Sequence, residues 1–86
     1  MEKMKYIKVG NYNSIIIFPQ IIEHSRFKHL NPTTAGFCYI SEDKVKCFGE
    51  SISLGIKSNE RLDTIEATKQ YCGTEAMLSL NELNDK

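Results

Sequence analysis

Three cysteines and two histidines are the residues of this chain whose chemistry is most versatile. Cys38, Cys47 and Cys72, with His24 or His29, have the donor types of a zinc site built from three thiolates and one imidazole. Such sites pair their ligands two to four residues apart, and neither C-x-x-C nor H-x-x-x-H occurs here. Cysteine is also among the residue types most often buried, so the three read as core thiols and no metal ligand is assigned. A cysteine nucleophile needs a partly exposed thiol beside a base. Strand alternation puts Cys38 and Cys47 on a buried face, while His24 and His29 stand about 140° apart around a helix. A Cys38–Cys47 cross-strand disulfide is geometrically conceivable, but a reducing compartment opposes it. The carboxylates fall mainly at turns and helix starts, so no acid–base pair converges. No catalytic residue and no cofactor is expected.

The stretch Phe48 to Ser58, FGESISLGIKS, approaches a phosphate-binding loop. That loop needs four residues between its glycines and a lysine directly after the second, so that backbone amides wrap the phosphate. Here five residues separate Gly49 from Gly55, and Ile56 intervenes before Lys57. Ile52, Leu54 and Ile56 alternate with Ser51, Ser53 and Gly55, the period-2 pattern of a half-buried strand. A strand with those three aliphatics turned inward is the expectation.

Two sets of residues could contact macromolecules. Lys3, Lys5, Lys8, Arg26 and Lys28 cluster in the first third, where Tyr6 and Tyr12 could stack on bases, as in a single-stranded nucleic-acid binder. Phe37, Tyr39, Lys46 and Phe48 share one face of a hairpin and mix rings with a base. With zero net charge, a covered face is favoured over a nucleic-acid one. Phe37, Tyr39 and Phe48 then mark a contact surface, because aromatics bury much area with few torsions to freeze.

The elements that must position these residues are short. KYIKV (5–9) and SIIIF (14–18) flank a Gly/Asn-rich loop and predict a hairpin. The unbroken Ile15–Phe18 run predicts a strand covered on both faces and central in its sheet. After Pro19, a helix of about two turns is expected from Ser25 to Leu30, stopped by Asn31-Pro32, with Phe27 and Leu30 on one face. AGFCYISEDKVKCFGE predicts a hairpin with Glu42-Asp43 at its tip. Its expected pairs are Phe37 with Phe48, Cys38 with Cys47 and Ile40 with Val45, and the Cys/Ile/Val side faces the core. A helix from an Asp63 N-cap to Cys72 follows, with Glu66 at capping-box spacing and Leu62 and Ala67 as its staple. Ile65 and Cys72 share its inner face, Gly73 closes it, and a short helix after Thr74 carries Met77, Leu80 and Leu83.

Eighty-six residues make one domain, expected over 1–83 with 84–86 fraying. The 41% apolar and 26% charged content fits a globular domain rather than a disordered one. The formal charge is zero, but residues 1–41 carry five basic against two acidic groups and residues 42–86 six against nine. The longest apolar run, Ile15–Phe18, is too short to span a membrane, and no export signal is read at the N-terminus. An odd number of cysteines without such a signal makes a cytoplasmic, reducing setting the expectation.

IIIFP, EHSRFKHLNP and AGFCYISEDKVKCFGESISLGIKS together resemble a group of short uncharacterised bacterial and phage-type proteins. These proteins pair a strand ending in Phe-Pro with a Gly-Glu-Ser-x-Ser-Leu-Gly segment and a closing helix. The resemblance covers about two thirds of the chain and implies a cytoplasmic accessory role, with no site residue. The expected fold is a small α+β domain, ordered β-β-α-β-β-β-α, with a mostly antiparallel sheet and helices packed on one face. The expected core comprises Ile15, Ile17, Phe27, Leu30, Cys38, Ile40, Val45, Cys47, Ile52, Leu54, Ile56, Ile65 and Cys72. The leading functional expectation is a non-enzymatic protein-interaction module that self-associates, as a homodimer through a sheet face or edge. The other is a weak nucleic-acid binder using Lys3, Lys5, Tyr6, Lys8, Arg26 and Lys28.

Overall fold

Residues 2–10 and 14–72 are described in a computed structural model of the chain. β-Branched and aromatic residues build β1 (Lys3–Val9) and β2 (Ser14–Phe18), paired antiparallel from Lys5↔Phe18 to Val9↔Ser14. β3 (Pro32–Ile40) and β4 (Val45–Phe48) form the second hairpin in the expected register, Phe37↔Phe48, Cys38↔Cys47 and Ile40↔Val45. β1 pairs antiparallel with β3, Lys5 opposite Phe37 and Ile7 opposite Ala35, which joins the hairpins into one sheet of order β2-β1-β3-β4. A 3-10 helix, His24–Leu30, links the hairpins. A small two-stranded ladder, β5 (Glu50–Ser51) and β6 (Ile56–Lys57), precedes the helix α1 (Glu60–Cys72). The chain is a small α+β domain with a mostly antiparallel sheet. No helix among the described residues is long and apolar enough to cross a membrane.

The register sorts the side chains onto two faces. On one, Tyr6, Ile15, Cys38, Val45 and Cys47 are buried with Ala67 of α1, and Met4, Ile17 and Cys72 pack around them. On the other, Ile7, Phe18 and Ala35 are buried beneath Phe27 and Leu30 of the 3-10 helix and Leu54 and Ile56 of the β5–β6 segment. The helices therefore lie on opposite faces, not on one. This also accounts for the Ile15–Phe18 run. β2 is covered on both faces yet stands at the sheet edge rather than at its centre.

The segment after β4 departs most from expectation. Ile52 to Gly55 is a turn, and Ile52 is 90% exposed rather than core. Serine chemistry bends it: the Ser51 hydroxyl accepts the Leu54 amide at 3.2 Å, and the Gly55 amide reaches the Ser51 carbonyl at 2.9 Å. Gly55 completes the turn in the left-handed region at φ 66. Leu54 and Ile56 still reach the core as half-buried residues. These amides donate inside the turn, so it does not form a phosphate cradle.

α1 begins at Glu60, three residues before the expected cap. Asn59 is the capping residue: its Oδ1 accepts the Leu62 amide at 3.3 Å, and its own amide donates to Asp63 Oδ2 at 3.0 Å. Asp63 is thus inside the helix and buried, and Leu62, placed in a staple, is exposed. The buried face of α1 is Asp63, Thr64, Ala67 and Thr68, while Ile65 is half-buried beside it. Ile40, at the end of β3, is 40% exposed. The short helix predicted at Ser25–Leu30 is present as a 3-10 helix, ended by Asn31 at φ 54. Tyr12, Gly73, the helix expected after Thr74 and the tail 84–86 lie outside the described residues.

Candidate interaction surface

The face beneath the 3-10 helix carries a continuous run of rings. Phe27 meets Phe18 at 4.6 Å between centroids, and Phe18 meets His24 edge-on at 5.5 Å. His24 meets Phe37 edge-on at 5.7 Å. Phe37 meets Phe48 at 6.1 Å, and Phe48 stacks on Tyr39 at 5.3 Å. Strand register explains the last two, since Phe37 is directly opposite Phe48 and Tyr39 is diagonal to it. The roof over this face ends partway along the run. His24 is buried, 4% exposed, whereas Phe37, Tyr39 and Phe48 are only half-buried.

His24 is the joint between the covered and open parts. Its Nε2–H donates to the Gly36 carbonyl at 2.8 Å, and burial lowers its pKa from 6.5 against the partial support of that bond. Gly36 is required there because a Cβ would strike the Phe48 carbonyl oxygen. Beside His24 opens a cleft of about 340 Å³ lined by Lys5, Glu23, Phe37, Glu50 and Ile52. Lys5 is held by donating to the Ile22 carbonyl at 2.9 Å. Lys3 sits 4.7 Å from the Phe37 ring centroid, a cation–π contact that occupies one side of that ring.

The structure divides the six basic and aromatic residues considered for nucleic acid. Lys3 and Lys5 share the aromatic face with Lys46, Phe37, Tyr39 and Phe48. Tyr6 and Lys8 point to the opposite face, where Tyr6 is fully buried and the Lys8 side chain is 12% exposed. Arg26 and Lys28 are exposed on the 3-10 helix. The sequence reading missed the juxtaposition of β1's lysines with the β3 rings, because β1–β3 pairing is non-local. The signal that carries it is the alternation Lys3, Lys5, Ile7, Val9, which puts both lysines on the Ile7 side of β1.

The opposite face holds buried polar groups. The Tyr6 hydroxyl donates to Asp63 Oδ2 at 2.5 Å, and Lys8 Nζ lies 3.5 Å from Asp63 Oδ1. Burial, then the Asp63 bond, pushes the Tyr6 hydroxyl far above its ordinary range, so it stays a donor. Burial pushes the Cys38 thiol up to about 11, and Cys47 and Cys72 are raised as well, so none is an activated thiolate. The three thiols gather on the α1 side while His24 lies across the sheet, and no metal-holding group of three His, Cys, Asp or Glu residues occurs among the described residues.

Fold and surface together define a small α+β domain with one half-roofed aromatic face. Compared with known protein families, curated proteins and solved structures, the chain matches none.

Proposed function

We propose that this chain is a non-enzymatic interaction module that pairs with a second copy of itself through the open half of its aromatic face. The observation carrying this reading is the end of the roof at His24 and Ile52, which leaves Phe37, Phe48 and Tyr39 half-buried and Ile52 projecting at their border. Rigid aromatics beside an exposed aliphatic suit a contact surface. Lys3, Lys5 and Lys46 on this face, with Glu23 and Glu50 lining the cleft, supply both charge signs. A twofold arrangement can set one against the other. The edges favour the face route, since α1 already bonds to backbone groups on β2 and β4. Light scattering over a concentration series should show a dimer that Tyr39→Glu disperses. A wild-type chain that stays monomeric throughout would sink the reading.

A second reading rests on the three lysines gathered beside the rings: a weak single-stranded nucleic-acid platform on the same surface. Its test is titration with a fluorescent oligonucleotide at two salt concentrations. Binding should be strongest at low salt, where counterion release is most favourable, and its absence there removes this reading.

A further inference from the structure

The cleft beside His24 carries two carboxylates that no cation of the described chain neutralises. Glu23 occupies the capping position of the 3-10 helix, yet its side chain makes no capping bond. Glu50 stands opposite Lys57 across the β5–β6 ladder, but the two do not close into an ion pair. Neither carboxylate joins an ion pair among the described residues. The lysine lining the cleft, Lys5, is already engaged, its ammonium donating to the Ile22 carbonyl at 2.9 Å. His24 spends its Nε2–H on the Gly36 carbonyl, and burial favours its neutral form, so it adds no second positive charge. Two glutamates against one lysine leave the lining negative in balance. Beside these charges the Phe37 ring and the exposed Ile52 side chain supply apolar wall. Lys3 already sits against the Phe37 ring at 4.7 Å, so a second cation gains little there. A ligand's charge is thereby directed to the carboxylates, and its apolar body to the ring and Ile52.

We propose that this cleft binds a small organic cation, an ammonium or guanidinium group carried on an apolar body. Its volume of about 340 Å³ lies at the lower end for small-ligand sites, which combine apolar walls with a few placed polar groups. The apolar contacts supply most of the affinity, and the carboxylates select the sign of the charge. Each carboxylate contributes modestly, because both are exposed and water screens them. Binding is therefore weak, salt-sensitive and selective for cations. The proposal does not rest on self-pairing. Tyr39, Lys46 and Phe48 of the open aromatic half do not line the cleft, and only Phe37 and Ile52 belong to both.

Phenethylammonium is the probe, titrated into the wild-type chain at low salt and followed by NMR. Saturable shifts should appear at the Phe37 and His24 ring protons and the Ile52 methyls, while Cys38, Val45 and Cys47 beneath α1 stay unmoved. Phenethyl alcohol keeps the ring without the charge and should bind about fivefold more weakly, with phenylacetate weaker still. The double variant Glu23→Gln, Glu50→Gln changes two exposed side chains and should keep the fold. It should lose about fivefold in affinity for the cation and nothing for the alcohol. Tyr39→Glu, which disperses the proposed dimer, should bind the cation as the wild type does, so the cleft survives a failure of self-pairing. Equal binding of phenylacetate, or no saturation by the cation at tens of millimolar, would overturn the proposal. Full affinity in the double glutamine variant, or loss of binding in Tyr39→Glu, would overturn it too.

Discussion

Beneath α1 the sheet presents Tyr6, Cys38, Val45 and Cys47, and the helix meets it with Asp63, Thr64, Ala67 and Thr68. Beneath the 3-10 helix it presents Ile7, Phe18 and Ala35, met by Phe27, Leu30 and Ile22. The first contact is directional: the Tyr6, Thr64 and Thr68 hydroxyls and Asp63 Oδ2 each have a named partner, and removing one strands another. The second is non-directional, proportional to the area covered, and tolerates stopping midway. Among the described residues, that difference accounts for an aromatic face left half open. An apolar roof, whose gain scales with the area covered, can end at His24 and leave a usable surface beyond it.

The largest effect should come from breaking the polar seal at its centre. Asp63→Ala leaves the Tyr6 hydroxyl, the Asn59 amide and the Lys8 ammonium without their shared carboxylate. It should cost about 3–5 kcal/mol in urea unfolding, the range for one partner lost from a buried charged pair. Gly36→Ala forces a methyl against the β4 backbone and should cost about 1–3 kcal/mol, with the His24–Gly36 bond disturbed.

Acid should then weaken the aromatic side in a way that names its residue. The pKa of His24 is lowered from 6.5 in the folded chain, so the unfolded chain takes up the proton first as pH falls. The stability tied to a neutral His24 is therefore fully present above about pH 6.5 and declines below it. His24→Gln, which keeps a donor for the Gly36 carbonyl, should flatten that part of the melting-temperature profile. An unchanged slope in the variant would place the acid sensitivity elsewhere. Smallest of all is Lys46→Ala. The Lys46–Glu60 pair spans 4.0 Å between two half-exposed side chains, so its loss should move stability by no more than about 0.5 kcal/mol.

The hairpins were legible because their information is local. Glu42-Asp43 sets the turn, and every pair of β3 with β4 follows from it, including the sorting of Cys38 and Cys47 from Phe37 and Phe48. Asn31-Pro32 likewise marks the end of the short helix. The errors arose where a polar side chain decides the backbone or fills the core. Ser51 and Ser53 look like the outward half of a strand, yet the Ser51 hydroxyl ties the Leu54 amide and makes a turn. Asp63 has the spacing of a cap, yet its partner is Tyr6 on a distant strand. Thr64 and Thr68 carry no hydrophobic signal, so periodicity puts the inner face of α1 at Ile65 instead. Of the candidate surface, the rings could be read from alternation. The lysines beside them and the cleft at His24 depend on β1 lying next to β3, which no short-range pattern encodes.

The Tyr6–Asp63 bond joins positions 57 apart, and β1 occupies the interior of the sheet. A nascent chain must therefore hold its first strand unfinished until nearly three quarters of the sequence has been made. Docking of α1 becomes the closing event of folding, and the rate should be governed by that late, long-range encounter rather than by either hairpin. Any shortening of the chain before α1 would leave a sheet with a tyrosine hydroxyl and a lysine turned toward an empty side.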